Sequence, residues 1–125
     1  MLMNQVKELE PIKVGLIADH PNIVFEDVQK SLKGKFKLER IEAGSEDYPD
    51  CDIFLFASNK PEKLLIHGIS RKLSRKRDLV VISPHHEDLE VDRQTRVFYY
   101  PYKYDIIINL PLIVKTVFSA AQVNA

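Results

Sequence analysis

The chain has 125 residues with 18 lysines and arginines against 18 aspartates and glutamates, and 45% of it is hydrophobic. That length fits one domain, and the apolar content excludes the low-hydrophobicity composition of a disordered chain. Zero formal charge excludes binding to nucleic acid through bulk positive charge. The single cysteine, Cys51, forms neither an internal disulfide nor a thiolate metal cluster. No apolar run is long enough to span a bilayer, because Asn109, Pro111 and Lys115 interrupt the longest stretch. Residues 1–10 hold Lys7 and two glutamates and lack the apolar centre of a signal peptide. A soluble, cytoplasmic, single-domain protein is expected.

Residues 1–12 read as a flexible lead-in to a domain over 13–122. Lys13-Val14-Gly15-Leu16-Ile17-Ala18 is a continuous apolar run stopped by Asp19-His20-Pro21-Asn22. That pattern predicts a strand buried on both faces. Phe25, Val28 and Leu32 recur at helical spacing, with Asn22 as N-cap and Gly34 as stop. Residues 36–41 alternate apolar and polar, as in a strand with one wet face. Residues 44–50 form a polar loop with room for one helical turn. Residues 52–57 are a second apolar strand. Pro61 and Glu62 suit the first turn of a helix carrying Leu65, Ile69 and Leu73. Residues 79–83 are a third buried strand, and residues 84–95 are polar, leaving a short or irregular helix there. Residues 96–100 form a last strand, ended by Pro101. From about 105 to 122 the periodicity is helical, and Pro111 either kinks that helix or marks its first turn.

Strands alternating with helices predict a doubly wound, parallel, five-stranded α/β sheet of flavodoxin-like order. In such a sheet function sits at the carboxyl ends of the strands. Those ends are Asp19-His20, Ser58-Asn59, Ser83-Pro84 and Tyr100-Pro101.

These strand ends carry a resemblance. Leu16-Ile17-Ala18-Asp19-His20-Pro21 is similar to the acidic first loop of two-component response-regulator receiver domains. Residues 49–61 resemble the receiver segment that leads into the phospho-acceptor aspartate and ends in a proline four residues later. Residues 79–83 are similar to the strand ending in the family's Thr or Ser, and Tyr99-Tyr100-Pro101 falls where receivers have Lys-Pro with a cis bond. The likeness covers about residues 13–121. It places the acceptor aspartate on Ala57, the first metal-coordinating acid on Ala18 and the lysine on Tyr100. The family's aromatic switch residue falls on Val97. Asp19, Ser83 and Pro101 keep the family's residue types. The phosphoryl chemistry needs a carboxylate nucleophile, a divalent cation held by carboxylates and a lysine. The resemblance therefore implies a pseudo-receiver that has lost phosphorylation: no enzyme, no cofactor and no metal. It also implies a place at the N-terminus of a longer regulator. Nothing after the final helix reads as a helix-turn-helix, so DNA is not an expected partner of these residues, and without an apolar run of bilayer length neither is a membrane.

Other clusters have plain readings. His85-His86-Glu87-Asp88 is expected to be a solvated loop, because adjacent residues rarely converge on one ion. Cys51, between Asp50 and Asp52, reads as an inert thiol. Arg71, Lys72, Arg75, Lys76 and Arg77 suit a solvated helix end. Acids gather from 42 to 52 and bases from 60 to 77, a segregation that supports head-to-tail association or an asymmetric partner. The run from Phe98 to Tyr104 is rich in tyrosines that need partners for their hydroxyls. With the two apolar stripes of the final helix, it marks a protein–protein or homodimer surface at Tyr102, Tyr104, Ile106, Ile107, Leu110, Val114 and Phe118. The alternative is a small flavodoxin-like enzyme or ligand-binding domain using the rim at Asp19, His20, Ser58, Asn59, His85 and His86.

Overall fold

The computed structural model describes residues 11–60, 62–73, 77–84 and 97–123. Most of the lead-in, the His85–Asp88 cluster, Arg75, Lys76 and the polar segment expected to hold an irregular helix lie outside them. The described elements are β1 (Lys13–Ala18), α1 (Ile23–Leu32), β2 (Lys37–Glu42), β3 (Ile53–Ala57), α2 (Lys63–Lys72), β4 (Leu79–Ser83), β5 (Val97–Pro101), α3 (Tyr104–Ile108) and α4 (Leu110–Val123). The strands form one five-stranded sheet in the order β2-β1-β3-β4-β5, with every neighbouring pair parallel. This is the expected doubly wound architecture.

Side-chain alternation sends the central strands into two cores. On one face Val14, Leu16, Ile53, Leu55, Val80 and Ile82 pack against α1 and α4. On the other, Ile17, Ile41, Phe54, Phe56, Leu79 and Val81 pack against Ile66 and Ile69 of α2 and against Leu73, which stands just past the end of that helix rather than in it. Burying side chains of this size stabilises by about 1.5–3 kcal/mol each. Gly15 makes the second core possible. A Cβ there would lie 2.8 Å from the Phe54 ring and 2.9 Å from Ile41 Cδ1.

The connection from β2 to β3 crosses β1 without a helix; residues 43–52 form turns and bends. Hydrogen bonds hold this segment in place. The Tyr48 hydroxyl donates to the Ala43 carbonyl at 2.7 Å, and Lys72 Nζ reaches the same oxygen at 3.1 Å. The Lys72 ammonium also lies 5.4 Å from the centre of the Tyr48 ring. At its far end Asp52 Oδ2 accepts the Lys13 N–H at 2.8 Å, while the Asp52 N–H donates to the Lys13 carbonyl at 2.9 Å. Cys51 is buried in this segment, and burial raises its thiol pKa, with Lys13 opposing and Glu39, Asp50 and Asp52 adding to the rise.

Helix α1 has the expected limits. Asn22 Oδ1 accepts the Phe25 N–H at 2.8 Å, and Gly34, at φ 81°, is the third residue of a tight turn closed by Lys35 N–H to the Leu32 carbonyl. The C-terminal helix is split at Asn109. Pro111 has no N–H to give the Ile107 carbonyl, and Ser31 Oγ of α1 donates to that oxygen instead, at 2.6 Å. Pro111 thus stands in the first turn of α4, and the break fastens α3 to α1.

Replacing Gly15 by Ala should lower stability by about 1–3 kcal/mol, read from urea denaturation, because the new methyl enters a filled space. Gly68→Ala in α2, where a Cβ meets nothing within 4 Å, should be neutral or stabilising by up to about 1 kcal/mol.

Candidate functional site

The carboxyl ends of β1, β3, β4 and β5 lie along one edge of the sheet. The residues expected to line a depleted phosphoryl site separate there by side-chain direction. Ala18 and Ala57 are buried and Tyr100 is half-buried, all in the core beneath α1 and α4. Their apolar atoms complete packing where the resembled family would have carboxylates and an amine. Asp19 and Ser58 meet one residue further on: Ser58 Oγ donates to Asp19 Oδ2 at 3.1 Å. The register explains the meeting, because Ile17 pairs with Phe56, so two more steps bring Asp19 level with Ser58. Alternation does turn Ser58 away from the acceptor position, and it turns it toward the acid.

The Asp19 carboxylate is almost fully engaged. Its Oδ1 accepts the His20 N–H at 2.9 Å, and its Oδ2 lies 3.4 Å from His20 Nδ1. The Asp19 side chain is only 11% exposed, while the His20 side chain is 61% exposed and points outward. Ser58 is completely buried, and its Oγ also accepts the Lys60 N–H at 3.3 Å. Asn22 ties the same corner together. Besides capping α1, its Nδ2 donates to the His20 carbonyl at 2.9 Å and to the Ala57 carbonyl at 3.4 Å. Ser83 is buried and pairs with Pro101 in the β4–β5 ladder, and Tyr102 N–H donates to the Ser83 carbonyl at 3.1 Å. None of the described peptide bonds is cis, the Tyr100–Pro101 bond included. Among the described residues, no three His, Cys, Asp or Glu side chains converge. Asn59 is exposed on the rim, and His85 and His86 fall outside the described residues.

The expected interface residues also divide. Leu110 and Val114 are fully buried in the core on the face of α1, so they hold α4 to the sheet and are closed to a partner. Ile106, Ile107 and Phe118 are half-buried. Tyr104 is 82% exposed and continues, at four-residue steps, into Ile108 and Leu112, exposed by 54% and 64%. Those two were not singled out in the sequence, since helical spacing alone does not say which stripe faces the core. Tyr102 donates its hydroxyl to Asp27 Oδ2 of α1, a partner 75 residues away. That hydrogen bond, then burial and the Asp27 charge, push the Tyr102 pKa up. Burial alone pushes Tyr99 up and carries Tyr48 to about 12.

No family model and no curated protein matches the chain. The structure defines it as an α/β protein of flavodoxin-like topology.

The raised phenols set an alkaline limit on stability. A phenol whose folded pKa exceeds its unfolded value of about 10 contributes stability that is complete below pH 10 and lost as pH rises through the folded value. Thermal melting should therefore hold until about pH 10 and weaken from there toward about pH 12. Tyr48→Phe and Tyr102→Phe should each flatten that decline.

Proposed function

We propose that the chain is a regulatory interaction domain of the receiver type that works without phosphoryl transfer, through contacts with a protein partner in the cytoplasm. The observation that carries this reading is the filling of the strand ends. Ala57, at the position of the resembled acceptor, is a buried core residue with no nucleophile. Ala18 and Tyr100, at the positions of an acid and the lysine, pack into the same core. The acid that is kept, Asp19, bonds to Ser58 and to its own neighbour. One engaged carboxylate is a poor seat for Mg²⁺, which needs octahedral oxygen ligands. The Ser58 hydroxyl is shut off from solvent and does not meet a phosphodonor.

A binding role has support on the opposite side of α1. The exposed stripe of Tyr104, Ile108 and Leu112 costs solubility without serving the core. The sheet, the ties at Asn22 and the Ser31 bond to Ile107 supply a rigid base for such a surface.

Incubation with acetyl phosphate and Mg²⁺, followed by intact-mass spectrometry, tests the proposal. The chain should emerge unmodified. A stable phosphoryl adduct on Asp19, Ser58 or a neighbour of Ala57 would reject it.

A further inference from the structure

A groove runs between α1 and α3, on the flank that carries the exposed stripe. It consists of two adjoining cavities of about 440 and 310 Å³ that share Asp27 and Ile107. Its base is fixed at two points, by Ser31 Oγ on the Ile107 carbonyl and by the Tyr102 hydroxyl on Asp27. Its walls mix polar and apolar side chains, and one large apolar group on each cavity is open to solvent: Tyr104 on one and Ile108 on the other. Ile23, 56% exposed, stands one turn before Asp27 on the same ridge of α1, and Leu112 prolongs the line of Tyr104 and Ile108.

The charge of the lining is mainly positive, three lysines against one acid. Lys30 and Lys35 border the larger cavity and Lys103 the smaller. The single acid among the lining residues, Asp27, is already held by the Tyr102 hydroxyl. A trough between helices with separated apolar anchors suits an amphipathic helix laid into it. A rim of ammonium groups suits carboxylates on the flanks of that helix. We propose that this groove docks an amphipathic helix of a partner protein, apolar along one face and acidic beside it. The proposal rests on the reading that the domain acts by binding, and it names the partner's chemistry. A second copy of the chain fits less well. Two-fold pairing brings the same patch onto itself and sets one mainly positive surface against another.

The test uses two labelled synthetic helical peptides. Both carry leucines along one face, and one has glutamates and the other lysines on the opposite face. Fluorescence anisotropy with the full chain should show the glutamate peptide binding at least about tenfold more tightly, weakening as salt is raised. Ile108→Glu, and separately the pair Lys30→Glu and Lys103→Glu, should each weaken it by about tenfold or more. Circular dichroism should report an unchanged fold, since these side chains are at the surface. Amide shifts in NMR spectra should fall on α1 and α3. Equal binding of the two peptides, or full binding by Ile108→Glu, would overturn the proposal. So would a concentration-dependent dimer that buries Ile108, or a preference for anionic lipid vesicles over the peptide. A chain that takes up no phosphoryl group and still ignores the glutamate peptide would overturn the groove alone, leaving the wider reading in place.

Discussion

Everything in this fold is hung on β3, a strand with no side that faces water. All five of its residues are buried, three against α1 and α4 and two against α2 and the β2–β3 crossover. Two of the five are phenylalanines on the same face, and the sheet accepts Phe54 only because its neighbour across the β1–β3 ladder is Gly15. A strand so enclosed fixes the register of β1 and β4 on either side, since a slip of one residue would exchange the two cores. That register in turn decides what happens at the strand ends. It buries Ala18 and Ala57 beneath α1 and brings Asp19 to Ser58.

The strand ends and the flank of α1 play opposite parts in the proposed function. At the ends, Asp19 and Asn22 have local partners: the acid its serine, the amide of Asn22 its two carbonyls. Such closure stiffens this corner of the fold. On the flank, apolar side chains lie open beside lysines, and the neighbouring polar groups are spent on holding the helices together. The break at Asn109 belongs to this division of labour. Pro111 frees the Ile107 carbonyl, Ser31 takes it, and α3 is thereby set beside α1 with Tyr104 and Ile108 facing outward.

Much of the framework was legible in the residues because it follows from local patterns. Continuous apolar runs marked β1, β3 and β4, and Asn22 and Gly34 bracketed α1 to within a residue. Pro111 left two readings open, and the structure selects the first turn of a new helix. The helix-free crossover fits the polar composition of residues 44–50. The links that shape the candidate site were less visible. Tyr102 and Asp27 are 75 residues apart, and no spacing rule joins them. Asp19 and Ser58 were within reach of a register argument, had the strands been aligned from Gly15 and Phe54 upward. The burial of Leu110 and Val114 in the core has a simpler reason. A helix with two apolar stripes must turn one inward, and the sequence does not say which.

The central claim is that the strand ends bind neither a divalent cation nor a phosphoryl group. Titration with Mg²⁺ and beryllofluoride, followed through the backbone amide resonances of Asp19, Ser58 and Ser83, tests it most directly. The account predicts that these resonances stay in place at millimolar ligand. Saturable shifts centred on Asp19 and the end of β3 would contradict it.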